Sequence, residues 1–355
     1  MKTNSPAAKS YDYDNAISVV IPTFNRADLL AKAISSVQRQ SYTNWKLFIA
    51  DNASTDHTSL VAADAARGDT RISYHRHVEN LGMLANWEFA ISKVGTQYFC
   101  ILSDDDLVLP EFFQAAMWEM LSHPEIGLCF GVTAAVDEKG HSIGRAPTAM
   151  APGYYSAGLG APAMLKAQHP ASTATLFRSQ CVISAGGFDS QSHYLADLDM
   201  MLRVALRYPI IFFGEEVAFH VAHANNAFRD DLCWYPGLRV LIANVNRLED
   251  TDQAPRNATL ANISSNVLAP LLANMVIRLR GHPVTVLKST EFRFALDCLR
   301  ETRHVGAAMM RLPILVFRRF ASLLKRVIIR GLFPISENRA TTQRHPRADD
   351  YFPAE

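Results

Sequence analysis

From residue 17 to residue 213 the chain alternates short apolar runs, rich in β-branched and aromatic residues, with longer stretches whose apolar positions recur at helical spacing. Strands separated by a helix re-enter a sheet in the same direction, so this alternation predicts parallel pairing with helices packed on the faces. The spacing predicts strands at 17–21, 45–50, 71–75 and 97–102, with helices at 27–40, 55–67 and 84–93 between them. Pro110 suits a first helical position and opens a helix running to Ser122. Residues 126–136 and the turn Asp137-Glu-Lys-Gly140 read as an antiparallel excursion, 197–208 as a helix and 210–213 as a strand. The expected fold class is α/β, a mostly parallel central sheet flanked by helices, followed by a helical C-terminal region.

The organisation along the chain follows from where this alternation starts and stops. A polar tail covers 1–16, the α/β domain 17–234, a helical region 235–335 and a final tail 336–355. The net charge of +1 conceals an asymmetry, because residues 306–346 carry eight Lys/Arg against one acid, Glu337. Within 311–331, Val316, Phe320, Leu323, Leu324 and Val327 fall on one helical side and Arg318, Arg319, Lys325, Arg326 and Arg330 mostly on the other. Such a basic amphipathic helix suits an anionic membrane surface or packing onto the α/β domain. Few aromatics interleave with these charges, so nucleic acid is not expected as a partner. Cys100, Cys129, Cys181, Cys233 and Cys298 show no C-x-x-C spacing and sit in apolar stretches, as buried thiols in a reducing compartment do. The first 15 residues lack an apolar signal region and no long apolar run follows, so the expected location is cytoplasmic, with peripheral attachment to the inner membrane as a further option.

The chemistry concentrates where the strand at 97–102 runs into Ser103-Asp104-Asp105-Asp106. Like charges this close raise one another's pKa unless a cation or several donors offset them. Carboxylate and water ligands suit Mg²⁺ or Mn²⁺, which commonly take one or two protein carboxylates and complete their shell with substrate phosphates. A nucleoside diphosphate at the carboxyl ends of the strands would satisfy both requirements, since ligands of open α/β sheets bind in that crevice. The plainer reading, acids capping the helix after Pro110, explains one aspartate but not three.

Further motifs bring in a family. Ile17-Ser-Val-Val-Ile-Pro-Thr-Phe-Asn-Arg26, Ala50-Asp-Asn-Ala-Ser-Thr-Asp56, Glu79-Asn-Leu-Gly82 with Tyr98 to Pro110, and Gly186-Gly-Phe-Asp189 with Ala196-Asp-Leu-Asp199 together resemble the family 2 inverting glycosyltransferases of GT-A type over residues 17–228. The resemblance implies a nucleotide-sugar-binding domain over 17–234. Pro22, Thr23, Phe24, Asn25, Arg26, Asp51, Asn80 and Asp104 would contact the donor, with Asp51 at the base. It implies Asp105 as metal ligand, with Asp106 and His223 as further candidates, and Asp197 as catalytic base. Two positions depart from the pattern: Ala196 stands where an acid commonly precedes the base, and Phe219-His-Val-Ala-His223 lacks the basic residue often found before its late histidine. For His223 a hydrogen-bonded structural role stands beside the ligand role.

The resemblance implies transfer of a sugar from a nucleotide donor to an acceptor hydroxyl by single displacement. Mn²⁺ or Mg²⁺ would neutralise the departing diphosphate and Asp197 would take the acceptor's proton. The acceptor class implied is a saccharide or lipid-linked saccharide, and the setting assembly of a bacterial surface polysaccharide or glycolipid. Two other readings compete. A binder of nucleotide sugars without turnover is compatible with the departures, and Gly140-His-Ser-Ile-Gly144 matches the serine-hydrolase elbow G-x-S-x-G. The second lacks context, because a turn precedes Ser142 and Pro147, Pro152 and Gly153 follow where the elbow needs a strand and a helix.

Overall fold

The computed structural model describes residues 12–145, 150–166, 171–223, 235–268, 297–298, 345–348 and 351–352. The elements in chain order are β1 (Asp12–Thr23), α1 (Ala27–Gln38), β2 (Trp45–Asp51), α2 (Thr58–Gly68), β3 (Ile72–Arg76), α3 (Met83–Ser92), β4 (Thr96–Ile101), β5 (Asp106–Val108) and α4 (Phe112–Ser122). There follow β6 (Leu128–Asp137), β7 (Ser142–Arg145), β8 (Gly153–Tyr155), α5 (Gly160–Lys166), β9 (Thr175–Arg178), α6 (Ser179–Ser184), α7 (Ala196–Arg207), β10 (Ile210–Ala222), α8 (Tyr235–Asn246) and α9 (Gln253–Asn262). One sheet holds all the strands among the described residues, in the order β3-β2-β1-β4-β9-β6-β10-β5, with β7 on β6 and β8 on β10.

The first four strands pair in parallel, as the alternation predicts, and β6 and β10 are parallel too. Antiparallel pairing enters through β9, which runs between β4 and β6, and through β5, β7 and β8. The sheet is therefore mixed. The β6–β7 hairpin is the expected antiparallel excursion, and Ser142 opens β7 within it, so no strand-to-helix elbow surrounds that serine.

The strands read as continuous apolar runs because both faces are covered. Tyr98 and Cys100 of β4, and Leu102 just after it, join Ile17, Val19 and Ile21 in a core under α1 and α4. Phe99 and Ile101 point the other way with Val20, into a second core shared with α7 and α8. Strand periodicity thus splits one run between two layers. Leu238, Leu241, Ile242 and Val245 of α8 lie in this second core, so the described part of the helical region packs onto α7 and the segment leading into it.

Three expectations need correction. The strand predicted at 210–213 continues to Ala222. Gly214, at φ +70°, and the polar pair Glu215-Glu216 mark an irregularity in its register against β6 that hides the continuation from a pattern reading. The helix after Pro110 starts at Phe112, with Glu111 at its cap. Part of the predicted tail is anchored: Ala348, Tyr351 and Phe352 form a third core with Leu107, Leu109, Val136, Phe219 and Val221, and the Tyr351 hydroxyl donates to the Val108 carbonyl. The basic amphipathic segment 311–331 lies outside the described residues, as do Cys233 and most of 269–335. Cys100, Cys129, Cys181 and Cys298 are free buried thiols.

Candidate active site

The strand order reverses direction at β1, whose neighbours are β2 and β4, and a crevice opens beyond the carboxyl ends of these strands. A cavity of about 520 Å³ lies there. Pro22 and Thr23 at the end of β1 and Phe24 and Arg26 of the β1–α1 loop line it, with Asn52, Asn80, Trp87 and Ser103 to Asp106. The far part of the lining comes from Thr173, Phe188, Tyr194, Asp197 and His220. Of the sequence-predicted donor residues, Asn25 and Asp51 are not in the lining.

The loop after β1 is fixed by side chains of the loop after β2. The Asn25 amide donates to Ser54 Oγ and the Arg26 amide to Thr58 Oγ1, both at 2.9 Å, while Asn25 Oδ1 accepts from the Thr55 amide at 2.7 Å. Asn25 adopts φ +53°, a conformation asparagine tolerates better than most residues. Asp51 is fully buried. Its Oδ1 accepts from the Ser54 amide at 2.8 Å and its Oδ2 from the Tyr74 hydroxyl at 2.8 Å, with Arg76 3.7 Å away. In this geometry Asp51 holds the loop that carries Asn52. Asn52 in turn donates to Asn80 Oδ1 at 2.9 Å and accepts from the Leu81 amide.

The three consecutive aspartates take different partners. Arg26 pairs with Asp104 at 3.3 Å and, more closely, with Asp105 Oδ2. His223 Nε2 lies 3.0 Å from the same Asp105 oxygen. Asp106 opens β5, and the antiparallel register sets it opposite His220 of β10. His220 Nδ1 lies 3.0 Å from Asp106 Oδ1, and the Thr173 hydroxyl donates to Oδ2 at 2.8 Å, so both oxygens of Asp106 are engaged. Burial, reinforced by Asp105, pushes the Asp104 carboxyl up to about 7. Burial also raises Asp106, and the bond to Asp106 raises His220.

Among the described residues no three His, Cys, Asp or Glu side chains are grouped to hold a metal by themselves. Asp105 and His223 do converge, and the Asp105 carboxylate fits a Mn²⁺- or Mg²⁺-like ion that completes its shell with phosphate oxygens and water, with the His223 imidazole at hand as a nitrogen ligand. Asp197 stands in the first turn of α7, half-buried, with Oδ1 accepting from the Leu198 amide at 2.7 Å. The approach to it is built from a 3₁₀ segment, Ser190–Leu195, in which His193 adopts φ +48°.

Pattern reading missed Thr173, Trp87, Phe188, His193, Tyr194 and His220 as lining residues. His220 had a usable signal, lying three positions before His223 in a strand-like run. Thr173 had none, because its partner is 67 residues away.

This sheet, with carboxylates at the ends of its parallel strands, has the α/β form called GT-A. The structure of S. aureus TarS residues 1–349 in complex with UDP-GlcNAc superimposes with a TM-score of 0.61 over 85% of this chain and 84% of that one, at 14% identity. Residues 18–179 match the model of glycosyl transferase family 2. WcaA of Escherichia coli K12, which carries the name of a colanic acid biosynthesis glycosyl transferase, is 36% identical over 110 residues. The GalNAc(5)-diNAcBac-PP-undecaprenol beta-1,3-glucosyltransferase of Campylobacter jejuni is 33% identical over 94 residues. These stretches are 30% and 26% of this chain, and 39% and 30% of the two relatives.

Proposed function

We propose that this chain transfers a sugar from a nucleoside diphosphate donor to an acceptor hydroxyl by one inverting displacement. The observation that carries the reading is a single cavity lined by the β1–α1 loop, by the acids after β4 and by the first-turn acid of α7. A divalent cation, Mn²⁺ or Mg²⁺, held by Asp105 and His223 would supply charge neutralisation for the departing diphosphate. Asp106, with both oxygens engaged by Thr173 and His220, is assigned to fixing the acidic loop on β10 rather than to metal ligation.

Pro22, Thr23, Phe24, Arg26, Asn80 and Asp104 would face the donor, while Asn25 and Asp51 shape the loops that present them. Asp197 would accept the proton of the attacking hydroxyl as general base. The names of the two relatives support a saccharide or undecaprenol-linked acceptor and a role in surface polysaccharide or glycolipid assembly. Action at the cytoplasmic face of a membrane is consistent with such an acceptor. Among the described residues no helix is long and apolar enough to cross a bilayer.

The test is thermal stability against a panel of nucleoside diphosphates and nucleotide sugars, with and without Mn²⁺, followed by the anomeric configuration of the product. One nucleotide is expected to stabilise the protein in a Mn²⁺-dependent way, and Asp105→Ala to lose the effect, because selective binding to the folded state raises stability. Indifference of the wild type to the whole panel would overturn the reading.

A further inference from the structure

Arg26 and His223 meet at one atom, Asp105 Oδ2, from opposite ends of the domain sequence. That oxygen belongs to the carboxylate assigned above to the divalent cation. Arg26 also reaches Asp104, so one guanidinium offsets two neighbouring carboxylates that would otherwise repel. The ion pair is largely sheltered, with side-chain exposures of 22% for Arg26, 12% for Asp104 and 15% for Asp105.

The backbone of Arg26 is pinned. Its amide donates to Thr58 Oγ1 and its carbonyl accepts from the Leu30 amide at the start of α1, both at 2.9 Å. Any movement is therefore confined to the side chain, which already lines the donor cavity. A guanidinium is a planar fork that pairs with phosphate as well as with carboxylate.

We propose that Arg26 is an exchangeable counter-ion: it neutralises Asp104 and Asp105 while the donor is absent, and moves to the donor diphosphate when the cation takes Asp105. The proposal rests on the assignment of Asp105 as cation ligand. Its consequence is thermodynamic coupling. A cation arriving alone takes Asp105 from a guanidinium that loses its closer carboxylate and gains nothing in exchange, whereas a diphosphate arriving with the cation offers that guanidinium a new anion. Cation and donor thus favour each other's binding by the same factor.

The experiment is titration with Mn²⁺ alone, followed through the electron paramagnetic resonance signal of the free ion, on wild type, Arg26→Gln, Arg26→Lys and the double variant Arg26→Gln/Asp105→Asn. Arg26→Gln is expected to bind Mn²⁺ about tenfold more tightly than wild type, within the usual range of coupling effects, and the double variant to lose that site. Arg26→Lys keeps the charge without the fork and is expected between the two, which preserves the comparison if the glutamine variant does not fold. Equal or weaker Mn²⁺ affinity in a folded Arg26→Gln would overturn the proposal while leaving the cation site standing. Tightening that persists in the double variant would also overturn it, by separating the effect from Asp105. Absence of protein-bound Mn²⁺ in wild type and all variants, with UDP, GDP or dTDP present as well, would remove the cation assignment itself.

Discussion

Arg203 Nη2 lies 2.8 Å from Asp199 Oδ2 on α7, and the two side chains are 5% and 0% exposed. The same guanidinium donates to the carbonyls of Ala185 and Gly187, and Asn244 of α8 donates to Asp199. One buried ion pair therefore ties α7 to the Gly186-Gly187 turn and to α8, two residues beyond Asp197. Asp199→Ala would leave Arg203 buried without its carboxylate. The expected loss is about 3–5 kcal/mol of unfolding free energy, read by urea denaturation, because an unpaired buried charge costs far more than the pair contributes. A loss below about 1 kcal/mol would show that the Ala185 and Gly187 carbonyls suffice for Arg203.

Asp197 stands half-buried in the cavity lining, where an acceptor hydroxyl would be presented. Asp197→Asn removes the proton acceptor without changing shape. Turnover is expected to fall by about 10²- to 10⁴-fold, the usual worth of general base assistance. Thermal stabilisation by the preferred nucleotide should be retained. Unchanged turnover would take Asp197 out of that role.

The Asp104 carboxyl is raised to about 7 by burial and by Asp105. The folded protein therefore holds a proton that the unfolded chain releases near pH 4, so folding binds protons across that window and stability falls as pH rises through it. His220, also raised, adds a loss of the same sign above its ordinary pKa. Melting temperature measured without divalent cations should decline from about pH 4 to about pH 7 more steeply in wild type than in Asp104→Asn. Parallel profiles for the two proteins would remove Asp104 as the source.

Gly237 near the start of α8 lies against the backbone of Ser192, and a Cβ there would sit 1.9 Å from the Ser192 carbonyl oxygen. No side chain can be accommodated without moving α8 or the 3₁₀ segment that leads into α7. Gly237→Ala is expected to cost at least about 2 kcal/mol, the scale of an overpacked core, and to lower turnover by displacing the approach to Asp197. A wild-type melting temperature in this variant would mean that α8 shifts freely.

Much of the fold and part of the candidate site could be read from the chain. The alternation of apolar runs defines β1 to β4 and their helices, because a parallel strand buried on both faces must be apolar at successive positions. The position of Asp104 to Asp106 at the end of β4 follows from the same pattern, since the apolar run stops where the acids begin. What the pattern could not express is the assignment of partners. Asp104, Asp105 and Asp106 are chemically identical in sequence, yet Arg26, His223, and His220 with Thr173 distribute them into different environments. Those partners come from the loop after β1, the end of β10 and the segment before β9, and the pairing of β1 with β4, of β5 with β10 and of β4 with β9 brings them together. Asp51 shows the same limit: the family resemblance implies a base contact, while the partners of its two oxygens, the Ser54 amide and the Tyr74 hydroxyl, are set only by tertiary packing. Local pattern determines where strands end and which residue types stand there. Long-range packing decides which of them are buried, which are neutralised and which face the cavity, because burial and pairing depend on neighbours that are distant along the chain.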